Sequence, residues 1–286
     1  MRPSVAVLLL NWNNYPDAAK CLESLRDLEY SDFHVIVLDN GSTDDSLSRI
    51  EETFPDIEVM KLGANFGFAK GNNVGIRSAL QRGAEYIWLL NTDTVVIPGS
   101  LTAMVELAEK DEKIGAVGSA IYSMLEREKL RAWGGGYIDF LFGRALQFET
   151  FVNNERIEFL TGASLLLRRE ALESVGLLDE NFFMYWEDAD YCYRLRRAGW
   201  KLAVAADSKV WHKEQGSIGK KSLALDVYFN RSAVHFFKKH ASSPLIPILG
   251  SLPRRMVRWA LKGDWGRVRK VWQASGVAGN SRRVSE

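Results

Sequence analysis

Cysteine is nearly absent: the 286 residues hold only Cys21 and Cys192. Two thiols this far apart exclude a disulfide framework and the paired spacing of a structural zinc site. They point instead to buried, reduced side chains in a cytoplasmic protein. Long apolar runs are missing too. The opening SVAVLLL gives way at once to NWNN and has the length of a buried strand, not of a secretory signal. PLIPILGSL, late in the chain, is broken by prolines and too short to span a bilayer. There is no internal repeat and no low-complexity tract. A dominant charge is lacking as well, since the formal net charge is +1. That balance hides an asymmetry. From Arg231 onward twelve Lys/Arg face only Asp264 and Glu286, so the tail carries about +10 and the first 230 residues about −9.

What is present is an alternation. Apolar segments of strand length at 5–10, 33–38, 57–61 and 86–90 alternate with helical patterns at 15–28, 45–53 and 70–82. This is the signature of βαβ units on a largely parallel sheet. Asn14 is placed to cap the first helix, whose Ala18, Cys21, Leu22 and Leu25 share one face. After residue 115 the rhythm changes. The glycines and aromatics of RAWGGGYIDFLFGRALQFET predict a hairpin or inserted excursion. SLLLRRE reads as a strand feeding a helix. Helices are expected at 187–198, stopped by Gly199, and at 223–240 and 253–274.

Polar clusters follow three of these strands, at 11–14, 39–44 and 91–93. Ligands of open α/β sheets bind beyond the carboxyl ends of strands, so the three are expected to line one crevice, although turn chemistry alone also favours such residues. In DNGSTD, Asp39 can accept the imide N–H of a uracil or thymine ring. Gly41 permits a sharp turn, Ser42 or Thr43 can cap the next helix, and Asp44 and Asp45 favour its N-terminus. NFGFAKGNNVG sets glycines around Lys70 at a helix start, which suits a phosphate; the alternative is that the glycines only permit close helix–sheet packing. Asp93, in LLNTDTVV, suits a hard divalent cation shared with substrate phosphates, with Asn91 as a neutral neighbour. His212 is the expected second ligand, better suited to Mn2+ than to Mg2+. His235 and His240 are left to packing or hydrogen bonding.

LLLNWNN, DNGSTD, NFGFAKGNNVG, LLNTDT, TGASLLLRRE, GLLDENFFMYWEDADYCYRLRRAGW and VWH occur in this order. The series resembles the family 2 glycosyltransferases, in particular a rhamnosyltransferase-like branch that builds bacterial surface polysaccharides, over roughly residues 4 to 240. The resemblance implies an α/β GT-A fold, with a Rossmann-like, mostly parallel central sheet flanked by helices, over residues 1–240. A basic helical extension over 241–286 follows. It also implies a dTDP- or UDP-linked sugar donor, a divalent cation (Mn2+ or Mg2+) and inversion at the anomeric carbon. On this sequence Asp39 matches the acid that reads the pyrimidine, and Asn11 and Asn13 the first-strand positions of the nucleotide pocket. Asn65, Gly67, Lys70 and Asn91 fall with them on the donor side. Asp93 and His212 match metal ligands, and Asp188 matches the catalytic base. Asn91 stands where many relatives carry an acid, which implies a single-carboxylate metal site or weaker metal dependence.

An inverting transfer needs one base near the acceptor hydroxyl and positive charge near the departing diphosphate. Of the acids in FFMYWEDADY, Asp188 falls on the less polar helical stripe and is the expected base. Glu187 caps the helix or binds the acceptor. Asp190 is expected to form a solvated pair with Arg194 of little weight. Tyr185 and Trp186, with Gly162, are placed on the acceptor side, although core packing also accounts for the two aromatics. A mobile lid or plain surface loop is expected over 213–221. The basic tail suits an interfacial helix on an anionic membrane, where a lipid-linked acceptor would be found. That places the enzyme at the inner face of the cell membrane. No nucleic-acid motif accompanies the charge. The alternatives to sugar transfer are a nucleotidyltransferase and an inactive sugar-nucleotide-binding protein.

Overall fold

The computed structural model describes residues 2–213 and 222–275. The first half alternates as expected. It runs β1 (Val5–Asn11), α1 (Tyr15–Arg26), β2 (Phe33–Asp39), α2 (Ser46–Thr53), β3 (Glu58–Lys61), α3 (Gly67–Gln81), β4 (Tyr86–Asn91), β5 (Thr94–Val96), α4 (Ser100–Glu109) and β6 (Ile114–Ser123). Then come β7 (Leu130–Trp133), β8 (Gly135–Asp139), β9 (Arg144–Gln147), β10 (Phe159–Leu160), β11 (Ser164–Arg168) and α5 (Arg169–Val175). The chain continues with α6 (Glu187–Arg197), β12 (Lys201–His212), α7 (Leu223–His240), α8 (Leu245–Ala260) and α9 (Trp265–Ala274).

Among the described residues the main sheet has nine strands, in the order β3-β2-β1-β4-β11-β6-β12-β5, with β7 beside β6. The expected parallel character holds for β3-β2-β1-β4 and returns between β6 and β12. Strand β11 runs antiparallel to both β4 and β6, and β5 antiparallel to β12, so the whole sheet is mixed. The excursion after residue 130 is a small antiparallel sheet of β10, β8 and β9. Its β8–β9 hairpin is the one the glycine pattern predicts.

Two cores lie on opposite faces of the main sheet. Ala6 and Leu8 of β1 enter one with α3, α6 and α7; Val5, Val7 and Leu9 enter the other with α1 and α4. This is the period of two that a doubly covered strand requires. Both cysteines are buried, and burial pushes each thiol up to about 12, so neither is a nucleophile at neutral pH.

Three local expectations need correction. Helix α3 begins at Gly67, three residues before the expected start. PLIPILGSL is not broken: Pro244 caps α8 and Pro247 lies in its first turn, where a missing N–H costs no intrahelical bond. The single helix expected over 253–274 is two. The chain turns at Gly263, and Asp264 accepts the Arg267 N–H to start α9. Among the described residues no helix is long and apolar enough to cross a membrane.

Candidate active site

Strand register assembles the site. In the parallel ladders Asn11 pairs with Asp39 and Leu10 with Asn91, so the three polar strand ends stand side by side. Antiparallel β11 returns to the same edge, where the Asn91 N–H donates to the Ala163 carbonyl at 3.0 Å. Antiparallel β12 pairs His212 with Thr94 of β5, next to Asp93. These edges, α3, α6 and α7 enclose a cavity of about 580 Å³, within the usual range for small-molecule sites.

Asn91, Asp93 and His212 line this cavity. His212 Nε2 lies 3.1 Å from Asp93 Oδ1. The two side chains expected to hold a cation are therefore neighbours, an oxygen and an imidazole nitrogen facing one space. No cluster of three or more His, Cys, Asp or Glu suited to a metal occurs among the described residues. A cation here would take two donors from the chain, with the remaining positions left to phosphate oxygens and water, a set that Mg2+ and Mn2+ accept.

Asp188 also lines the cavity, at the start of α6. Its Oδ2 accepts the Gly162 N–H at 2.9 Å and its Oδ1 the Ala189 N–H at 2.7 Å. Burial raises its pKa above the ordinary aspartate value of 3.8, and these hydrogen bonds oppose the rise only in part. Glu187 is 5% exposed, and its Oε2 has no hydrogen-bond partner among the described residues. Burial first, then the charges of Asp188 and Asp190, push its pKa well up. The cavity thus holds two adjacent carboxyls, both biased toward keeping a proton.

The aromatic run before these acids is held by α7. The Trp186 ring lies 5.0 Å from Phe236 and 5.2 Å from Phe237, and Phe183 stacks on Tyr228 at 4.6 Å. Tyr185 and Trp186 both line the cavity, but Trp186 is 4% exposed, so most of its ring serves the core. Their φ angles are 67° and 69°, left-handed at two successive non-glycine residues. Each costs about 1–3 kcal/mol, which only over-determined surroundings sustain. The turn aims the first residues of α6 into the cavity. Gly67, with φ of 77°, lets the start of α3 pass beneath it: a Cβ there would lie 2.3 Å from the Phe183 carbonyl oxygen.

The phosphate reading of NFGFAKGNNVG is corrected at its donors. The Gly67 N–H is taken by Asn65 Oδ1 and the Phe68 N–H by the Phe183 carbonyl. Gly71 and Gly75 face Leu10 and Leu38 at distances no Cβ would tolerate, the close-packing alternative. Lys70 is exposed, 4.3 Å over the Phe66 ring, and does not line the cavity; Asn65 and Gly67 do. Asn13 is spent on the loop after β2. Its Oδ1 accepts the Thr43 N–H at 2.8 Å, and its own N–H donates to Ser42 Oγ at 3.0 Å. Ser42 and Thr43 therefore fasten the loop to β1 and do not cap α2. Asp39 and Asn11 lie buried beside the cavity, and one oxygen of each, Oδ1, has no partner among the described residues.

Asp190 requires the largest correction. Instead of a solvated pair, it is wholly buried, with Arg194 at 2.9 Å and Lys239 and His240 each at 2.7 Å. Burial alone would raise its pKa, but His240, Lys239 and Arg194 together hold it below 3.8. Sequence reading also missed Asn40, which is buried, lines the cavity and bonds to Asn65 and the Phe66 N–H. Its place inside DNGSTD was the available signal. Gln147 of β9 and Phe229 of α7, also in the lining, carry no local signal. The lid expected over 213–221 lies, from 214 onward, outside the described residues; Lys213 itself is bound to Asp17 of α1 at 2.8 Å.

Known proteins similar to this chain give its family and its fold. Over 291 aligned residues the chain is 25% identical to an N-acetylglucosaminyl-diphospho-decaprenol L-rhamnosyltransferase of Mycobacterium tuberculosis, covering 92% of this chain and 91% of that one. It is 23% identical to the dTDP-rhamnosyl transferase RfbF of Shigella flexneri over 79% of its length and 73% of the relative's. Mannosyltransferase PcManGT from Pyrobaculum calidifontis, solved with GDP-Man and Mn2+, superposes with a TM-score of 0.60 at 19% identity, over 99% of this chain and 77% of that one. GalNAc-T7, solved with UDP, GalNAc and Mn2+, gives 0.71 at 14% identity, over 97% and 57%. These two share the GT-A fold with it. A family model described as "Glycosyltransferase like family 2" matches residues 3–233, and with that match the chain is a member of this family of sugar-transferring enzymes.

Proposed function

We propose that the protein is an inverting glycosyltransferase that moves a sugar, rhamnose in the first instance, from a dTDP- or UDP-linked donor to a saccharide or lipid-linked acceptor. The observation that carries this is the pairing, across one cavity, of Asp188 with the Asp93–His212 neighbours. Relatives named for rhamnosyl transfer, one to a diphospho-decaprenol-linked sugar, support the choice of donor and acceptor.

Asp188 accepts the proton of the acceptor hydroxyl as that oxygen attacks the anomeric carbon. The N–H groups of Gly162 and Ala189 fix its carboxylate, and burial makes it a stronger base than an exposed aspartate. Asp39, with its buried free oxygen, receives the imide N–H of the pyrimidine, and Asn11 lies beside it. Asp93 and His212 would hold a divalent cation, which when bound supplies Lewis-acid stabilisation to the departing diphosphate. Glu187, Tyr185, Trp186 and Gly162 form the acceptor side. The basic tail over 241–286 supports peripheral contact with the cytoplasmic face of an anionic membrane.

A thermal-shift screen of dTDP, UDP, GDP and their sugars, with and without Mn2+, tests the donor reading. A ligand at 100 times its Kd stabilises by about 2.7 kcal/mol. The expected result is a Mn2+-dependent shift with dTDP or UDP that His212→Ala removes. A shift with GDP alone, or with nucleoside triphosphates and release of pyrophosphate, would overturn it.

A further inference from the structure

Most of the large exposed apolar side chains among the described residues fall in the β8–β9 turn and in the segment of α8 and α9. Leu141 and Phe142 form the β8–β9 turn, and Leu245, Ile246 and Leu249 begin α8; all are exposed. These segments, remote in sequence, are in direct contact. A Cβ on Gly143 would lie 2.1 Å from the Pro247 carbonyl oxygen, and one on Gly250 2.6 Å from that of Leu141. Leu245, Leu249 and Val257 recur at multiples of four and make an outward stripe, while Ile248 and Leu252 face the core. Leu261, just past α8, and Trp265 and Trp272 of α9 are exposed as well.

Charge selects the occupant. Between residues 241 and 275 seven Lys/Arg stand against the single acid Asp264. Lys262, Arg269 and Lys270 are exposed. Two copies of the chain meeting here would bring like charges together. A nucleic acid would match the charge but leave the aliphatic stripe in water. A bilayer with anionic headgroups satisfies both, and exposed tryptophans suit its boundary. The hairpin also has a second connection: Ala145 and Gln147 of β9, about 10 Å along the strand from the turn, line the cavity.

We propose that the β8–β9 turn and the exposed stripe of α8 form one docking surface for an anionic bilayer, which sets the acceptor side of the cavity against the lipid. The orientation rests on the acceptor reading above; the docking does not. Co-sedimentation of the full chain with vesicles of phosphatidylglycerol and phosphatidylethanolamine, and with phosphatidylcholine alone, tests it. Binding is expected to the anionic vesicles. It should weaken at least about 10-fold in a Leu141→Asp, Phe142→Asp double variant, and similarly in Leu245→Asp, Leu249→Asp. Binding of dTDP in the presence of Mn2+, measured by calorimetry, should match the parent chain in both variants. Anionic-vesicle binding unchanged in the hairpin variant would overturn the proposal. So would loss of a dimer in either variant, or tighter binding to duplex DNA than to vesicles. If the parent chain does not bind dTDP, the donor reading fails and the vesicle result stands alone.

Discussion

Asp188 and Asp190 are two residues apart on one helix, and their surroundings push them in opposite directions. Burial raises the pKa of Asp188 without a cation to offset it; the hydrogen bonds from His240 and Lys239 and the charge of Arg194 lower that of Asp190. Only the first is suited to take a proton. Asp188→Asn is expected to reduce transfer by about 10²–10⁴-fold while nucleotide binding persists. Turnover and a binding isotherm on the same preparation check this. The working form of the base is deprotonated, so its contribution is present above its folded pKa and lost as pH falls through it. Because that pKa is raised, the acid limb of the rate profile should lie above pH 3.8. A limb at or below that value would remove Asp188 as the base. Helical position alone distinguished these acids in the sequence, since Asp188 shares a stripe with Tyr191 and Leu195. It misplaced Asp190 because an i,i+4 pair with Arg194 looks the same on a surface and in a core. The deciding partners are Lys239 and His240, which no local pattern connects to residue 190.

Helix α6 is fixed at its N-terminal end by α7. The aromatic run docks on Phe229, Phe236 and Phe237, and Asp190 binds Lys239 and His240. Lys239 also reaches Asp179 at 2.6 Å. Asp190→Ala removes the charge-assisted hydrogen bonds from Arg194, Lys239 and His240 and is expected to destabilise by about 1.5–3 kcal/mol. Urea unfolding at neutral and acid pH would measure it. A lowered folded pKa contributes stability above the unfolded value of 3.8, lost as pH falls through the folded one. The difference between parent and variant should therefore narrow in strong acid; a constant difference would show that packing, not charge, is lost. The elements themselves were largely legible, because strand and helix periods are local. The left-handed pair Tyr185–Trp186 was not, since nothing nearby in the sequence favours it and contacts from α7 sustain it.

For the molecule as a whole, the long-range register decides what sequence could reveal. That polar strand ends would converge followed from topology. That β11 runs antiparallel to β4 while β12 runs parallel to β6, and so deliver Gly162 and His212 to the same edge, required the completed sheet. The basic tail reads as an appendage by charge, yet Ile248, Leu252 and Val271 enter the same core as Leu8. Deletion of 241–286 is therefore expected to lower the melting temperature, each lost aliphatic contact contributing about 1.5–3 kcal/mol. Differential scanning calorimetry would check this, and an unchanged midpoint would show that the tail adds nothing to the body.

The clamp on Asp190 also has a consequence in time. A ribosome makes α6 well before α7, and until residues 239 and 240 emerge, the acid that anchors α6 has only Arg194 of its own helix. The nascent catalytic edge can pair its strands early, but the helix bearing Asp188 gains its Lys239 and His240 contacts only with a segment synthesised fifty residues after Asp190. A chain interrupted before that point would carry every motif of the site, VWH included, yet lack two of the three side chains that hold Asp190. Synthesis of α7 is thus the step that completes the packing around Asp190.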